Sequence, residues 1–227
     1  MTVSHPLVSC VMPTWNRRAF IPAAIDCFLK QTYENRELVI VDDGNEEIRD
    51  LIPEDPRIRY FFENKRRITG DKRNKVNELA AGEIICHWDD DDWSAASRIE
   101  DQVARMKKSK KPVTGYAVLL FWDVVERQAK RYVSAISGYV CGTTLCYQKE
   151  FWKVRHFRSK HSESDNDFVY PILKNIAAGT DGRHMVARIH GCHHTSPKGG
   201  IKNTVPRDQL PAEFWKNEEL RLRSEKR

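Results

Sequence analysis

The chain has 227 residues, 40% of them hydrophobic and 31% charged, with a formal net charge of +6 and a sequence pI near 9.0. A chain of this length buries about 70% of the surface its unfolded form exposes, so neither a disulfide nor a metal is needed to hold a core. Mean hydropathy of −0.63, with no apolar run near the ~20 residues of a bilayer span, excludes a membrane-spanning helix.

Residues 7–12 are a continuous apolar run stopped by Pro13 and read as a buried strand; residues 19–31 carry Phe20, Ala24, Cys27 and Phe28 at helical spacing. Residues 37–41 give a second strand, ended by Asp42-Asp43-Gly44, and residues 58–62 a third. A helix over 71–81 is expected to close on Gly82 at its C′ position. Residues 83–88 form a fourth strand that runs into Asp89-Asp90-Asp91-Asp92, after which Ser94 stands where it would cap a helix over 95–108. Strands alternating with helices predict an α/β domain with a mostly parallel sheet and right-handed crossovers. Ligands of such sheets gather at the carboxyl ends of strands, so residues 13–16, 42–44 and 89–92 are expected along one edge.

The second half is less regular. Residues 113–122 and 131–133 read as paired strands, 143–147 as another strand, 149–154 as a short helix, 167–176 as a helix and 185–190 as a last strand. From residue 207 the chain reads as a highly charged helix whose apolar Leu210, Phe214, Trp215, Leu220 and Leu222 would pack across the domain. The six cysteines form no C-x-x-C pair, and residues 1–7 lack the basic and apolar regions of a secretory signal. Reduced, mostly buried thiols and a cytoplasmic or membrane-peripheral location are expected. Basic runs at 65–75 and 149–160 point to an anionic partner, whereas the run at 105–111 reads as a solvated helix face.

The acidic block His87-Trp88-Asp89-Asp90-Asp91-Asp92-Trp93 carries the strongest chemical signal. Four adjacent carboxylates at a strand end repel one another unless a cation neutralises them, and hard oxygen ligands suit Mn²⁺ or Mg²⁺. Asp42 or Asp43 is placed to accept hydrogen bonds from a nucleobase or ribose, although Asp-Gly is also ordinary turn chemistry. Gly70-Asp71-Lys72-Arg73-Asn74 opens a helix with positive charge, which suits a diphosphate.

Pro13-Thr14-x-Asn16-Arg17, the strand ending Val41-Asp42-Asp43-Gly44, Lys72-Arg73-Asn74, Ala81-Gly82-Glu83-Ile84-Ile85 and the tryptophan-flanked aspartates together resemble the family-2 glycosyltransferases of GT-A fold, over about residues 7–195. The resemblance implies a GT-A domain over 1–205, with a nucleotide-sugar-binding half at 1–112, an acceptor-binding half at 113–205 and a separate charged helix at 206–227. It also implies a nucleotide-sugar donor, most often a UDP-sugar, a divalent metal and inversion at the anomeric carbon. Carried over by position, Pro13, Thr14, Asn16, Asp42, Asp43, Lys72, Arg73, Asp89 and Asp90 would bind the donor. Asp91, Asp89 and His190 would hold the metal, and Gly142, Thr143 and Trp93 would meet the acceptor. Asp165 would be the base, with Glu163 and Asp167 as rivals, because the family's Glu-Asp pair is here Ser164-Asp165.

The acceptor is read as a saccharide or a lipid-linked glycan, with a hydroxylated base in DNA as an alternative that the basic runs would also suit. Two other readings are a nucleotide-sugar or nucleic-acid binding protein of the same fold with weak catalysis, and a nucleotidyltransferase that would release pyrophosphate. The cluster His190-Gly191-Cys192-His193-His194 could instead hold structural zinc, although no second ligand pair has finger spacing.

Overall fold

A computed structural model describes residues 5–190 and 200–225. Among these, the strands form two sheets. In the larger, β1 (Val8–Thr14) lies between β2 (Arg36–Asp42) and β4 (Ile84–His87), parallel to both, with β3 (Ile58–Phe62) parallel beyond β2. Beyond β4 come β9 (Cys146–Gln148) and β6 (Val113–Tyr116), each antiparallel to its predecessor, and then β10 (Ile176–Gly179), parallel to β6. The expected mostly parallel α/β architecture is therefore present.

The central strands are buried along nearly their whole length because both faces are covered. Cys10, Met12, Leu38, Ile40 and Cys86 face one core, with Phe28 of helix α1 (Ile21–Leu29) and Ile99, Val103 and Met106 of helix α3 (Arg98–Ser109). Val11, Val39, Val41 and Ile85 face the other, with Val76 of helix α2 (Thr69–Leu79). The period of two along each strand sends alternate residues to opposite layers. The five described cysteines are buried free thiols, as expected.

A second sheet was not foreseen. It orders β12 (Gly200–Val205), β8 (Gln128–Ser134), β7 (Val118–Asp123), β11 (Met185–Ile189) and β5 (Trp93–Ser94). The run 113–122, read as one strand, divides at Ala117, with β6 in the first sheet and β7 in the second. Ala117 joins them, its N–H donating to the Gly179 carbonyl and its own carbonyl accepting from the Ser134 N–H, each at 2.8 Å. A continuous apolar run carries no mark of such a division, because both halves are buried.

Several local expectations need correction. Ser94 does not cap α3; it belongs to β5 and its hydroxyl accepts from Arg98 Nη1 at 2.9 Å. Gly82 is not a left-handed helix terminus, since α2 ends at an extended Ala80. Its smallness serves a close approach instead: a Cβ at Gly82 would sit 2.6 Å from the Leu7 carbonyl oxygen. The segment 167–176 is not one helix. α4 (Lys149–Lys153) is followed by α5 (Ser164–Val169), a 3₁₀ stretch Tyr170–Asn175 containing Pro171, and then β10. The last helix, α6 (Ala212–Ser224), starts after Pro211 rather than at 207, where a 3₁₀ turn, Arg207–Gln209, stands. Among the described residues no helix is long and apolar enough to cross a membrane.

Candidate active site

A cleft of about 230 Å³ opens at the carboxyl ends of β1 and β4. Pro13, Thr14, Lys72, Arg73, Asp89, Asp90 and Asp91 line it from the first half of the chain, and Gly142, Thr143 and Asp165 from the second. The seven from the first half meet because parallel strands deliver their following loops to the same edge; Gly142 and Thr143, in the 3₁₀ turn before β9, and Asp165 of α5 close the cleft from the other side.

All four aspartates face partners of the protein, and Asp90 and Asp91 share one. Asp90 accepts from the Thr14 hydroxyl at 2.6 Å and from Arg17 Nη1 at 2.7 Å. The same Arg17 nitrogen donates to Asp91 Oδ2 at 2.7 Å, and His190 Nε2 lies 2.9 Å from that oxygen. Because a carboxylate only accepts, the His190 proton in that contact belongs on Nε2. Asp92 accepts from the Thr143 hydroxyl and from the Arg188 backbone N–H. Asp89, 22% exposed, faces Arg73 Nη1 at 3.6 Å.

The acid block was expected to need a cation for charge balance. Within the chain, the Arg17 guanidinium supplies part of that balance to Asp90 and Asp91, and neutral donors hydrogen-bond the rest. Burial would lower the Arg17 pKa, but the Asp90 and Asp91 carboxylates outweigh it and raise it. Burial pushes the Asp90 carboxyl upward, and burial together with the charges of Asp91 and Asp89 pushes Asp92 well up.

On the facing wall stands Asp165. Its Oδ2 accepts from Arg73 Nη2 at 3.2 Å, while Arg73 Nε lies 3.1 Å from Oδ1 without a hydrogen-bonding angle. Oδ1 accepts no hydrogen bond among the described residues. Burial raises the Asp165 pKa, and the Arg73 guanidinium pulls it back. Gly142 makes room for this carboxylate, since a Cβ there would lie 2.5 Å from Asp165 Cβ. Arg73 is in turn held by His87, whose Nδ1 lies 3.1 Å from Arg73 Nη1 and 2.9 Å from the Gly142 carbonyl. Burial, then the Arg73 charge, drives the His87 pKa well below the ordinary histidine value. Of the two rival bases, Glu163 also lines the cleft, whereas Asp167 does not and pairs with Lys160 Nζ at 2.6 Å.

Other expected site residues do not line the cleft. Asp42 accepts from the Gly44 N–H at 2.9 Å and the Tyr60 hydroxyl at 2.8 Å. Asp43 accepts from the Arg67 N–H at 2.7 Å and pairs with Lys72, whose ammonium also donates to the Thr14 carbonyl at 2.9 Å. Asn16, at φ 52°, accepts from the Asn45 N–H and ties the loop after β1 to the loop after β2. Trp93, expected to meet the acceptor, is a core residue instead, packed edge-on against Phe214 at 6.2 Å. An indole this size between a sheet and α6 gains more from burial than a cleft wall could give it. His190 reaches the site through Asp91 and stacks on Phe20 at 4.7 Å. Cys192, His193 and His194, on which the zinc reading depends, lie outside the described residues.

Arg17 was expected only as part of the Pro13–Arg17 motif, Arg66 and Arg67 only as part of the basic run 65–75, and Arg188 not at all; all four line the cleft. Arg188 carried a usable signal, because a charged residue inside the apolar strand Met185–Ile189 demands a buried partner. Among the described residues, no group of three or more His, Cys, Asp or Glu is arranged to hold a metal. The donor types around Asp91, two carboxylates and an imidazole, still suit a hard divalent ion; their present arrangement closes on Arg17.

The sequence profile described as Glycosyl transferase family 2 matches residues 9–179. An uncharacterized glycosyltransferase of Haemophilus influenzae is 32% identical over 189 residues, 77% of this chain and 74% of its own length. Escherichia coli WfgD, described as a UDP-Glc:alpha-D-GlcNAc-diphosphoundecaprenol beta-1,3-glucosyltransferase, is 35% identical over 106 residues, 45% of this chain and 42% of that protein. The Pyrobaculum calidifontis mannosyltransferase PcManGT, solved with GDP-Man and Mn²⁺, has a TM-score of 0.60 at 16% identity, covering 82% of this chain and 57% of that one. The chain thus spans less than two thirds of the latter two relatives.

Proposed function

Since the chain belongs to glycosyl transferase family 2, we propose that it moves a sugar from a nucleotide-diphosphate donor, with UDP-sugars ranked first, to a hydroxyl of a saccharide or lipid-linked acceptor, inverting the anomeric carbon. The observation that carries this reading is the guanidinium of Arg73, which lies between Asp165 on one wall and Asp89 on the other. A base and an acidic block thereby face each other across one cleft. The acceptor class is supported by the diphosphoundecaprenol substrate in the description of WfgD, and donor chemistry by that description and by the GDP-Man bound to PcManGT.

In this reading the acceptor hydroxyl donates its proton to Asp165 as its oxygen bonds to C1 of the sugar. The C1–O bond to the diphosphate breaks, and its electron pair leaves on the phosphate oxygen. Burial that raises the Asp165 pKa makes the carboxylate a better proton acceptor than a solvated aspartate. Arg66, exposed at the cleft over the Trp15 ring, is placed to meet the diphosphate, whereas the Arg67 guanidinium is paired with Glu63 and Lys72 is committed to Asp43 and the Thr14 carbonyl. Asp91, Asp89 and His190 would hold Mn²⁺ or Mg²⁺, an ion that offsets the charge of the departing diphosphate.

Nucleoside diphosphate release from a panel of UDP-, GDP- and TDP-sugars, with Mn²⁺ or Mg²⁺, tests the reading in wild type and Asp165→Asn. Release from one donor, accelerated by an acceptor saccharide and lost in the variant, is the expected result. Neither binding nor release with any donor would overturn it.

A further inference from the structure

The family match ends at residue 179, yet α6, well beyond it, is tied to the acidic block by two routes. On the first, Glu218 of α6 accepts from Arg188 Nε at 2.6 Å, and Asn217 Oδ1 accepts from Arg188 Nη2 at 2.9 Å. Arg188 then donates through Nη1 to the Asp91 carbonyl at 2.9 Å, and through its backbone N–H to Asp92 Oδ1 at 3.1 Å. On the second, the Arg221 guanidinium lies over the Phe20 ring at 5.2 Å, Phe20 stacks on His190, and His190 contacts Asp91 Oδ2. One helix therefore braces Asp91 from its carbonyl and from its carboxylate.

Energetics make this arrangement informative. Arg188 and Arg221 are each 1% exposed and divide the single carboxylate of Glu218 between them, with Arg221 reaching Glu225 besides. Buried charge networks of this kind are seldom more stable than apolar residues of the same volume. The helix is anchored without them, by Phe214 in the core and by the Asn217 amide donating to the Ala23 carbonyl at 2.9 Å. A network that docking does not need, and whose far end is the Asp91 carbonyl and the Asp92 carboxylate, has its use at that end.

We propose that α6 is a positioning element for the acidic turn: Glu218 and Asn217 act through Arg188, and Arg221 acts through Phe20 and His190, to fix where Asp91 presents its carboxylate. The inference rests on the reading of the cleft as a nucleotide-sugar site, and none of the α6 residues touches substrate.

Three proteins separate this role from a merely structural one: wild type, Glu218→Gln, and the triple variant Arg188→Met, Glu218→Leu, Arg221→Met. The triple variant replaces the charges with apolar bulk, which keeps the fold where removal of one charge could cost it. Mn²⁺ affinity by electron paramagnetic resonance and UDP affinity with Mn²⁺ by calorimetry are each expected to weaken by about 10-fold in a variant that melts cooperatively, the usual effect of losing a residue that orients a metal ligand. Backbone hydrogen exchange in the same samples is expected to speed up across 89–93 while the central strands keep their protection. Wild-type affinity together with unchanged exchange across 89–93 in the folded triple variant overturns the proposal. Should wild type bind no nucleotide, the nucleotide-sugar reading fails by itself, and exchange across 89–93 still decides whether α6 holds the turn.

Discussion

Asp42-Asp43 and Asp89 to Asp92 end two strands that flank β1, and both loops sit at the carboxyl edge of the same sheet. Their side chains are used in opposite ways. Asp42 and Asp43 turn inward to a tyrosine hydroxyl, backbone N–H groups and Lys72, and neither lines the cleft. Each member of the second block lines it: Asp90, Asp91 and Asp92 accept from donors of β1, the loop after it, β11, the residue following β11 and the 3₁₀ turn Gly142–Thr144, and Asp89 faces Arg73 of α2. Acids at equivalent strand ends thus serve either to tie loops together or to face a ligand, and what decides is which donors the neighbouring loops bring.

The largest expected effect belongs to the wall opposite the second block. Asp165→Asn should lower turnover by about 10²–10⁴-fold, or about 3–5 kcal/mol of barrier, with UDP binding preserved. Kinetics of nucleoside diphosphate release beside calorimetric UDP titration read both quantities; a parallel loss of binding would assign Asp165 to the donor instead. Asp91→Ala should cost about 10²–10³ in turnover and take metal-dependent UDP binding with it.

Asp43→Ala should fail differently. Lys72 and Asp43 are 10% and 0% exposed at the side chain, and the change leaves a buried ammonium without its carboxylate. A loss of about 3 kcal/mol in urea unfolding is expected. Turnover falling as far as in Asp91→Ala, with stability intact, would put Asp43 on the ligand side and erase the contrast between the two blocks.

Gly142→Ala should push Asp165 from its place without removing it, because the new Cβ overlaps the aspartate side chain. About a 10-fold loss in turnover is expected, near 1.4 kcal/mol, with UDP affinity unchanged.

The smallest effect concerns pH. His87 is buried and neutral, with its folded pKa depressed below its unfolded value near 6.5. Between the two values the unfolded chain holds a proton that the folded chain lacks, so His87 stabilises fully above about pH 6.5 and its contribution falls as the pH drops. Asp90, Asp92 and Asp165, with raised values, act in the opposite sense. The informative quantity is therefore the difference between wild type and His87→Gln in urea stability at pH 7.5 and 5.5. It should narrow or reverse on acidification by about 1 kcal/mol per pH unit, and a constant difference would mean that His87 is not kept neutral by the fold.

Residue order alone determined the parallel half of the fold. Apolar runs at 7–12, 37–41 and 83–88, each ended by a proline or an acid, have no other stable place than buried parallel strands, and such strands must put their following loops on one edge. The convergence of Thr14, Arg73 and Asp89–Asp91 follows from that. The second half was not legible in the same way. Its strands are short, Ala117 divides one apolar run between two sheets, and β10 and β12 leave no periodic mark. Tertiary structure also decided what individual polar side chains do. Trp93 went to the core and Asp42 to a tyrosine, while Arg17 and Arg188 came to the acidic block. Hydrophobic periodicity specifies which face of an element is covered; a polar side chain's partner depends on which distant segment arrives opposite it, and that is settled only when the sheets and α6 have packed.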